Sequence, residues 1–342
     1  MNFINQLLSY VLRFFADMFG GSFAAAVFLF TLLINVVMIP LSIKSQKSAV
    51  DQLRIKPKLD DLKKRYGDDR QKLAEAQQKL YQEEKVSMSG GCLPMIIRLA
   101  LMMCIYSLIL SPLTYMSQAD SSKITNVTKA FSNSLTELKE NDKAEYDRIV
   151  EETSWNEKNT RNELSLIRII EEQPEVFSEV MSKKEYKKIE GDLNDLISNV
   201  KESEIDYSFV GINLTETPKF NINIVENFRL IWLIPILAFL SQILTSIISM
   251  MINKRNNPDA PTMAGMMLTM PLISLFLGFS FPGGVGFYWI CSSLIGGLIQ
   301  SGVQLLYGPN KLLAKNRSKE LKERYTFEKK QLEKFDDSAV NE

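Results

Sequence analysis

Long apolar runs alternate with charged segments along this chain of 342 residues. Five runs of 19 to 23 residues are each long enough to cross the hydrocarbon core of a bilayer as a helix. Arg98 is the one Lys, Arg, Asp or Glu within them. The pattern predicts an all-α membrane protein with five transmembrane helices, called spans one to five: 22–43, 92–112, 230–252, 263–281 and 285–307.

Residues 1–19 follow a different pattern, in which apolar side chains recur every three or four positions between polar ones. This spacing predicts an amphipathic helix that lies in the membrane interface and ends at Gly20. The segment lacks the basic start and the small-residue cleavage site of a signal peptide, so we expect it to be retained. Its apolar stripe consists of Phe3, Leu7, Tyr10, Phe14 and Met18.

Residues 44–89 form the first charged segment, with twelve Lys and Arg against eight Asp and Glu. Apolar residues recur at helical spacing on both sides of Gly67, in one repeat that ends at Tyr66 and another that begins at Leu73. The spacing predicts two antiparallel helices in a coiled-coil hairpin. A disordered loop is the alternative.

Residues 117–227 form a longer and acidic segment, with fourteen Lys and Arg against twenty-three Asp and Glu. Its apolar positions are sparse but keep helical spacing, which predicts a small, mainly helical domain. Residues 308–342 form a charged tail whose composition favours helix.

The distribution of Lys and Arg between the loops predicts which of the two possible orientations the five spans take. Basic residues follow spans one, three and five, which the alternation places on one side, and loops rich in Lys and Arg stay in the cytoplasm. We therefore expect the N-terminal helix and residues 117–227 outside the cell and the tail in the cytoplasm. The basic residues are Lys44, Lys47, Arg54, Lys254, Arg255, Lys311, Lys315 and Arg317.

The composition argues against several kinds of chemistry. The formal net charge is zero, so nothing in the bulk charge favours nucleic-acid binding. Histidine, the usual general base, is absent, and the three cysteines lie in apolar runs without CxxC spacing. Metal, phosphate-loop and hydrolase motifs are also missing. We expect a protein without cofactor or metal that makes and breaks no covalent bonds.

Polar side chains occur at similar depths in three of the predicted spans. Counted from the cytoplasmic ends, Asn35, Gln242 and Arg98 lie about 12, 15 and 9 Å deep. No intramembrane Asp or Glu can neutralise Arg98, so its charge must meet water, dipoles or an acidic group of a visiting molecule. We favour a hydrophilic groove open to the cytoplasm; interhelical hydrogen bonds in a packed bundle are the alternative. Thr31, Thr245 and Ser293 extend these polar faces.

Methionines are frequent in the same spans. Their flexible thioethers suit a surface that accepts many apolar shapes, although filling gaps in a helix bundle is the alternative. They are Met95, Met102, Met103, Met250, Met251, Met263, Met266, Met267 and Met270.

Three motifs occur in order along the chain: Ile39-Pro40-Leu41 before a basic hairpin, Leu80-Tyr81-Gln82-Glu83-Glu84 before Gly90-Gly91-Cys92-Leu93-Pro94, and Gly278-Phe279-Ser280-Phe281-Pro282 running to Tyr288-Trp289. In sequence and order they resemble those of the YidC/Oxa/Alb membrane protein insertases. The similarity covers residues 1–116 and about 208–310. It implies five spans in a bacterial plasma membrane around a groove that is closed to the outside and open to the cytoplasm and lipid. Nascent membrane proteins would slide through the groove, alone or beside the Sec translocon, with the ribosome near the cytoplasmic side.

The chain departs from the resembled family at two groove positions. The family usually has Arg in span one, where this chain has Asn35, and Gln in span two, where it has Arg98. We hypothesise that the positive charge is kept and supplied from the facing helix. Gln242 and Trp289 match groove positions of the family, although Trp289 would also suit the aromatic belt at the membrane surface. Residues 117–227 replace a much shorter loop.

Two other functions stay open on the sequence alone. A transporter or channel for small anions could use Arg98 as its selectivity charge, although the outer halves of the spans are almost wholly apolar. A membrane-anchored binding protein could instead act through residues 117–227.

Overall fold

The computed structural model is mostly helical in the part of the chain that it describes. It describes residues 2–67, 69–87, 93–156, 162–218, 229–256, 264–308, 311–312, 314, 318 and 321–329, with the side chains of 2, 93–95, 98, 256, 264–268 and 270 excepted. The first six helices are α1 (Asn2–Met18), α2 (Phe23–Val37), α3 (Ile39–Tyr66), α4 (Arg70–Glu83), α5 (Leu93–Leu110) and α6 (Pro112–Tyr115). Then come α7 (Ser121–Asn141), α8 (Lys143–Thr153), α9 (Glu163–Glu172), α10 (Val176–Val180), α11 (Lys183–Ser203) and the antiparallel strands β1 (Ser208–Phe209) and β2 (Ile212–Asn213). A short 3-10 helix (Leu230–Trp232) precedes α12 (Leu233–Asn256), α13 (Ala264–Gly278) and α14 (Gly283–Leu306).

Two helices of the described chain are long and apolar enough to cross a membrane, judged by length and composition. They are Leu230–Arg255 and Gly283–Leu306. The consecutive helices α2 and α3 make a third candidate if they form one bent span, and the apolar stretch Leu99–Leu110 of α5 is shorter. The described part of the chain is therefore mostly helical with two to three candidate spans, and the five spans expected from the sequence stay a prediction.

The break between α2 and α3 lies at Met38, five residues before the end predicted for span one. Pro40 occupies the second position of α3. Proline has no N–H to donate and its ring displaces the carbonyl one turn earlier, so a helix can start at this residue but cannot run through it undisturbed. Pro40 therefore accounts for a break on its N-terminal side. After it, α3 continues to Tyr66 with Pro57 inside it.

The Cα positions separate into two compact units. The first contains residues 1–35, 98–246 and 263–296, and the second contains 36–97, 247–262 and 297–342. Every site residue predicted from the sequence falls in the first unit: Thr31, Asn35, Arg98, Gln242, Thr245, Trp289 and Ser293.

Helices α7 to α11 and the strand pair form the inserted domain (residues 121–216) of the first unit. Asp120, Asp142 and Ser182 cap α7, α8 and α11, since each side chain accepts a hydrogen bond from a backbone N–H of the first turn. The ring of Phe131 on α7 is fully buried, with ring centroids 4.7 Å from Trp155 and 5.3 Å from Phe177. This apolar core continues without interruption into buried residues of α2, α5 and α14.

The last part of the inserted domain is joined to the starts of two apolar helices. Four backbone hydrogen bonds of 2.7 to 2.9 Å hold residues 204–216, here called the bridging segment, against the starts of α2 and α14. Since backbone groups make these bonds, they depend on close approach rather than on side-chain type. The bonds run from the Phe23 N–H to the Asp206 carbonyl, the Asp206 N–H to Gly21, the Gly283 N–H to Glu216 and the Gly284 N–H to Leu214.

Helix α1 packs its buried face, with Asn5, Ser9, Leu12 and Ala16, against the rest of the first unit. The buried Asn5 amide donates hydrogen bonds to the hydroxyls of Ser107, at 3.1 Å, and Tyr115, at 3.3 Å. The opposite, apolar face is uncovered, and Phe3 at its start is 78% exposed. The exposed side chains include the stripe named above: Phe3, Leu7, Tyr10, Phe14 and Met18. An apolar face of this kind suits contact with a membrane surface.

In the second unit, α3 and α4 pack against each other on either side of Gly67. Asp69 caps α4 by accepting a hydrogen bond from the Lys72 N–H. Glu84 pairs with both Arg54 and Lys58 of α3. These ion pairs are exposed, so they set the register of the two helices more than their stability.

Candidate functional site

The polar residues predicted on span one are buried in the protein. Thr31 and Asn35 are 1% and 7% exposed, on the same face of α2. The Thr31 hydroxyl donates to the Val27 carbonyl at 2.6 Å, and the Asn35 amide donates to the Thr31 carbonyl at 2.8 Å. Both bonds stay within α2 and use the side chains as donors, so the side-chain oxygens keep lone pairs for a further partner.

The predicted residues of α12 and α14 lie partly exposed. On α12 the Thr245 hydroxyl is shared between the carbonyls of Ser241, at 3.0 Å, and Gln242, at 3.1 Å. Ser293 on α14 is likewise half-buried. The described hydrogen bonds of the predicted residues thus join neighbours on one helix and do not link α2, α12 and α14.

Trp289 lies one turn before Ser293 on α14 and packs against the apolar core. Its ring meets that of Phe281 edge to face, with centroids 5.9 Å apart. Phe281 in turn meets Tyr106 of α5 edge to face at 5.3 Å. This geometry is the favoured one for aromatic pairs, and it connects α5 to α14 through three rings.

Arg98 lies within α5, one turn after the start of that helix. Its side chain lies outside the described residues, and the exchange of charge between Asn35 and Arg98 stays a prediction. Several ends of the predicted segments also lie outside them: 89, 92, 227, 263 and most of the tail 308–342.

A cavity of about 280 Å³ lies beside Trp289, and its wall is almost wholly apolar. We call it the apolar cavity. Two methionines that the sequence singled out line it, but the tyrosines do not stand out in the sequence because apolar runs surround them. Its lining residues are Met102, Met103, Tyr106, Ile109, Leu277, Phe281, Val285, Tyr288 and Trp289.

A second cavity, of about 720 Å³, lies between α5, the inserted domain and residues 280–282. We call it the polar pocket. Hydroxyl, amide and aromatic side chains line it together with one guanidinium, that of Arg168. Tyr106 and Phe281 line both cavities. No local sequence pattern marks this pocket, since its residues come from positions between 106 and 282.

One carboxyl of the inserted domain, that of Glu171, has a raised pKa. Glu171 lies on the surface, yet partial desolvation of its carboxyl, followed by the negative charges of Glu172 and Asp206, raises its pKa to about 7. Protonation of this carboxyl reduces its repulsion of Asp206 in the bridging segment. Among the described residues, no group of three His, Cys, Asp or Glu is placed to hold a metal ion.

Comparisons with a family model and with named proteins agree on one family. The family model described as 60Kd inner membrane protein matches residues 14–307. A protein of Shewanella sp. (strain ANA-3) named membrane protein insertase YidC is 39% identical over 100 residues, which are 29% of this chain and 18% of that protein. A protein of the same name from Shewanella baltica (strain OS155) is 40% identical over the same shares. One from Fusobacterium nucleatum is 31% identical over 110 residues, 32% of this chain and 53% of that protein.

The matches with these named relatives span between about a fifth and about half of the relatives' lengths. The relatives are bacterial, and together with the apolar helices they indicate a bacterial membrane protein. The resemblance read from the three motifs is confirmed by the family model.

Proposed function

The chain belongs to the 60Kd inner membrane protein family, and on this basis we propose that it is a membrane protein insertase that passes nascent segments into the bilayer without bond chemistry. The match of the family model over residues 14–307 is the observation that carries the proposal. It includes all seven residues predicted to form the groove. The names of the relatives support the same activity.

The proposed architecture has five spans, with α1 and the inserted domain outside the cell and the α3–α4 hairpin and tail in the cytoplasm. The excess of Lys and Arg after spans one, three and five supports this orientation. The uncovered apolar stripe of α1 supports its placement in the outer interface. Nascent membrane proteins are the proposed clients, delivered by the ribosome on the cytoplasmic side, alone or beside the Sec translocon.

The groove would lower the cost of moving polar groups into hydrocarbon. Each unsatisfied polar group costs several kcal/mol there, so a hydrated path through part of the membrane shortens the costly distance. Arg98 supplies a positive charge that attracts acidic residues of an arriving segment. Further hydrogen-bonding groups come from Asn35, Gln242, Thr245 and Ser293. Thr31 lies one turn before Asn35 on α2, and its carbonyl accepts a hydrogen bond from the Asn35 amide.

The apolar cavity would receive the side chains that leave the groove for lipid. Its walls combine flexible methionines with aromatic rings, and such a surface adapts to residues of different shape. Met103 on this wall is 47% exposed, so a passing helix can reach it from the lipid side.

Photo-crosslinking from Met103 tests the proposal. With a photoreactive amino acid at this position, ribosome-stalled chains of a single-spanning client should be captured when their apolar segment reaches the membrane. Leu237 on α12 is the matched control, since it is also 47% exposed but lies outside the two cavities. Capture from Met103 that exceeds capture from Leu237 supports an insertase, and equal or absent capture contradicts it.

A further inference from the structure

The polar pocket has no role in the function proposed above. About half of the residues that line it are serines, threonines and asparagines, whose hydroxyls and amides can donate to and accept from a peptide chain. Trp155, Tyr146 and Phe281 add flat apolar surface. Thr217 and Ser280 are among the hydroxyl residues of this lining.

The polar pocket and the apolar cavity meet at one pair of side chains. Tyr106 and Phe281 line both, and their rings lie edge to face with centroids 5.3 Å apart. On one side of this pair the lining is almost wholly apolar, and on the other polar and apolar side chains contribute similar shares. The change in lining matches the change along a membrane protein where a transmembrane helix gives way to its polar flank.

Arg168 is the one charged residue among the described lining of the polar pocket. Its side chain is 14% exposed and held in place, since its Nε donates to Glu172 at 3.0 Å and its Nη1 donates to the Ser154 hydroxyl at 3.3 Å. The segment to which it belongs, residues 117–227, has nine more acidic than basic residues. The pocket therefore carries one guanidinium, paired with Glu172, in an acidic segment.

We propose that the polar pocket binds the outer flank of a client's transmembrane helix while the adjoining apolar turn lies in the apolar cavity. This rests on the proposed function and its orientation. Flanks that end up outside the cell are poor in Lys and Arg, so a pocket with amide, hydroxyl and one guanidinium group suits them. Neutral and acidic flanks bind there, and the remaining guanidinium N–H groups of Arg168 favour the acidic ones.

Crosslinking from both cavities of the full chain separates this inference from the proposed function. Photoreactive amino acids are placed at Met103 in the apolar cavity, at Thr217 and Ser280 in the polar pocket, and at Glu140, an exposed position of the inserted domain outside it. A series of stalled client chains of increasing length is then examined. Met103 should capture the shorter chains, Thr217 and Ser280 the longer ones through their flank, and Glu140 none.

Two other results overturn the inference. If Met103 captures client while Thr217 and Ser280 give lipid adducts only, or no adduct, the pocket holds lipid or nothing and the proposed function stands. If Met103 also captures no client, the proposed function fails and the inference fails with it.

The role of charge is tested by Arg168→Gln, with Arg148→Gln as control because Arg148 also pairs with glutamates of its own helix but lies outside the pocket. Loss of one ion pair should lower capture of an acidic flank from Ser280 about two- to fivefold and leave capture of a neutral flank unchanged. Arg168→Lys should retain capture of the acidic flank. An equal loss for both flanks, or no loss, contradicts recognition by charge.

Discussion

The proposed insertion mechanism depends on the position of a single positively charged residue. Thr31 and Asn35 each donate one hydrogen bond to a carbonyl of α2, and their side-chain oxygens can still accept from another partner. Asn35 carries no charge, and Arg98 is the one Lys, Arg, Asp or Glu in the five apolar runs. A charge that has no acidic neighbour in the membrane costs at least about 2.5 kcal/mol, and such residues are usually kept for function.

Replacement of Arg98 tests whether its positive charge is needed for insertion. Arg98→Ala should impair insertion of clients with acidic translocated segments, because the attraction of the charge is lost. Asn35→Arg in the same chain should restore insertion, since it returns the charge at a depth that differs by about 3 Å. The measurement is protease protection of radiolabelled client in vesicles that contain each variant.

The control for this pair is Asn35→Arg alone, which shows whether a second charge is tolerated. Unchanged insertion of every client tested by Arg98→Ala would show that the charge is dispensable. Failure of Asn35→Arg to rescue would show that the two positions are not interchangeable.

At the scale of elements, the bridging segment connects the inserted domain to α2 and α14. The Gly21 carbonyl accepts the hydrogen bond from the Asp206 N–H, and two features of this position favour glycine. Its φ of +83° is strained for any residue with a side chain, and a Cβ at this position would lie 1.8 Å from the Glu204 carbonyl oxygen. The neighbouring Gly20 also has a positive φ, of +61°, but a Cβ there meets no atom within 4 Å.

The two glycines make a matched pair of variants. Gly20→Ala should cost about 1 kcal/mol of unfolding free energy through backbone strain alone. Gly21→Ala should cost more, because the Cβ also pushes the Glu204 carbonyl away and weakens the bonds at Asp206. The thermal unfolding midpoints of the purified variants in detergent measure the difference. Equal midpoints would show that the bridging segment adapts without loss.

Elements differ in how well the sequence predicts them. Apolar runs and capping residues such as Asp120 and Asp142 mark helices because helix formation depends on nearby residues. The break at Met38 is less evident, since Pro40 is compatible both with a kink in one continuous helix and with the start of a new helix. The four bonds of the bridging segment leave no side-chain pattern, because backbone groups far apart in the chain make them.

At the scale of the whole molecule, the sequence predicts the family, because three motifs occur in the right order, and the family model confirms it. The candidate site is predicted only in part. Asn35, Gln242 and Arg98 stand out as polar groups in apolar runs, whereas Tyr106 and Phe281 look like ordinary membrane residues. They differ from such residues because both line the two cavities and their ring centroids lie 5.3 Å apart, an arrangement that no local sequence pattern encodes.

Reconstitution in liposomes shows whether this chain moves polypeptide into a bilayer. The purified full chain is placed in liposomes, a single-spanning client is synthesised in their presence, and the protease-protected fraction of client is measured. The account predicts a protected fraction several-fold above that of empty liposomes, and a lower fraction with Arg98→Ala. A protected fraction equal to that of empty liposomes, with the chain folded and present, would contradict it.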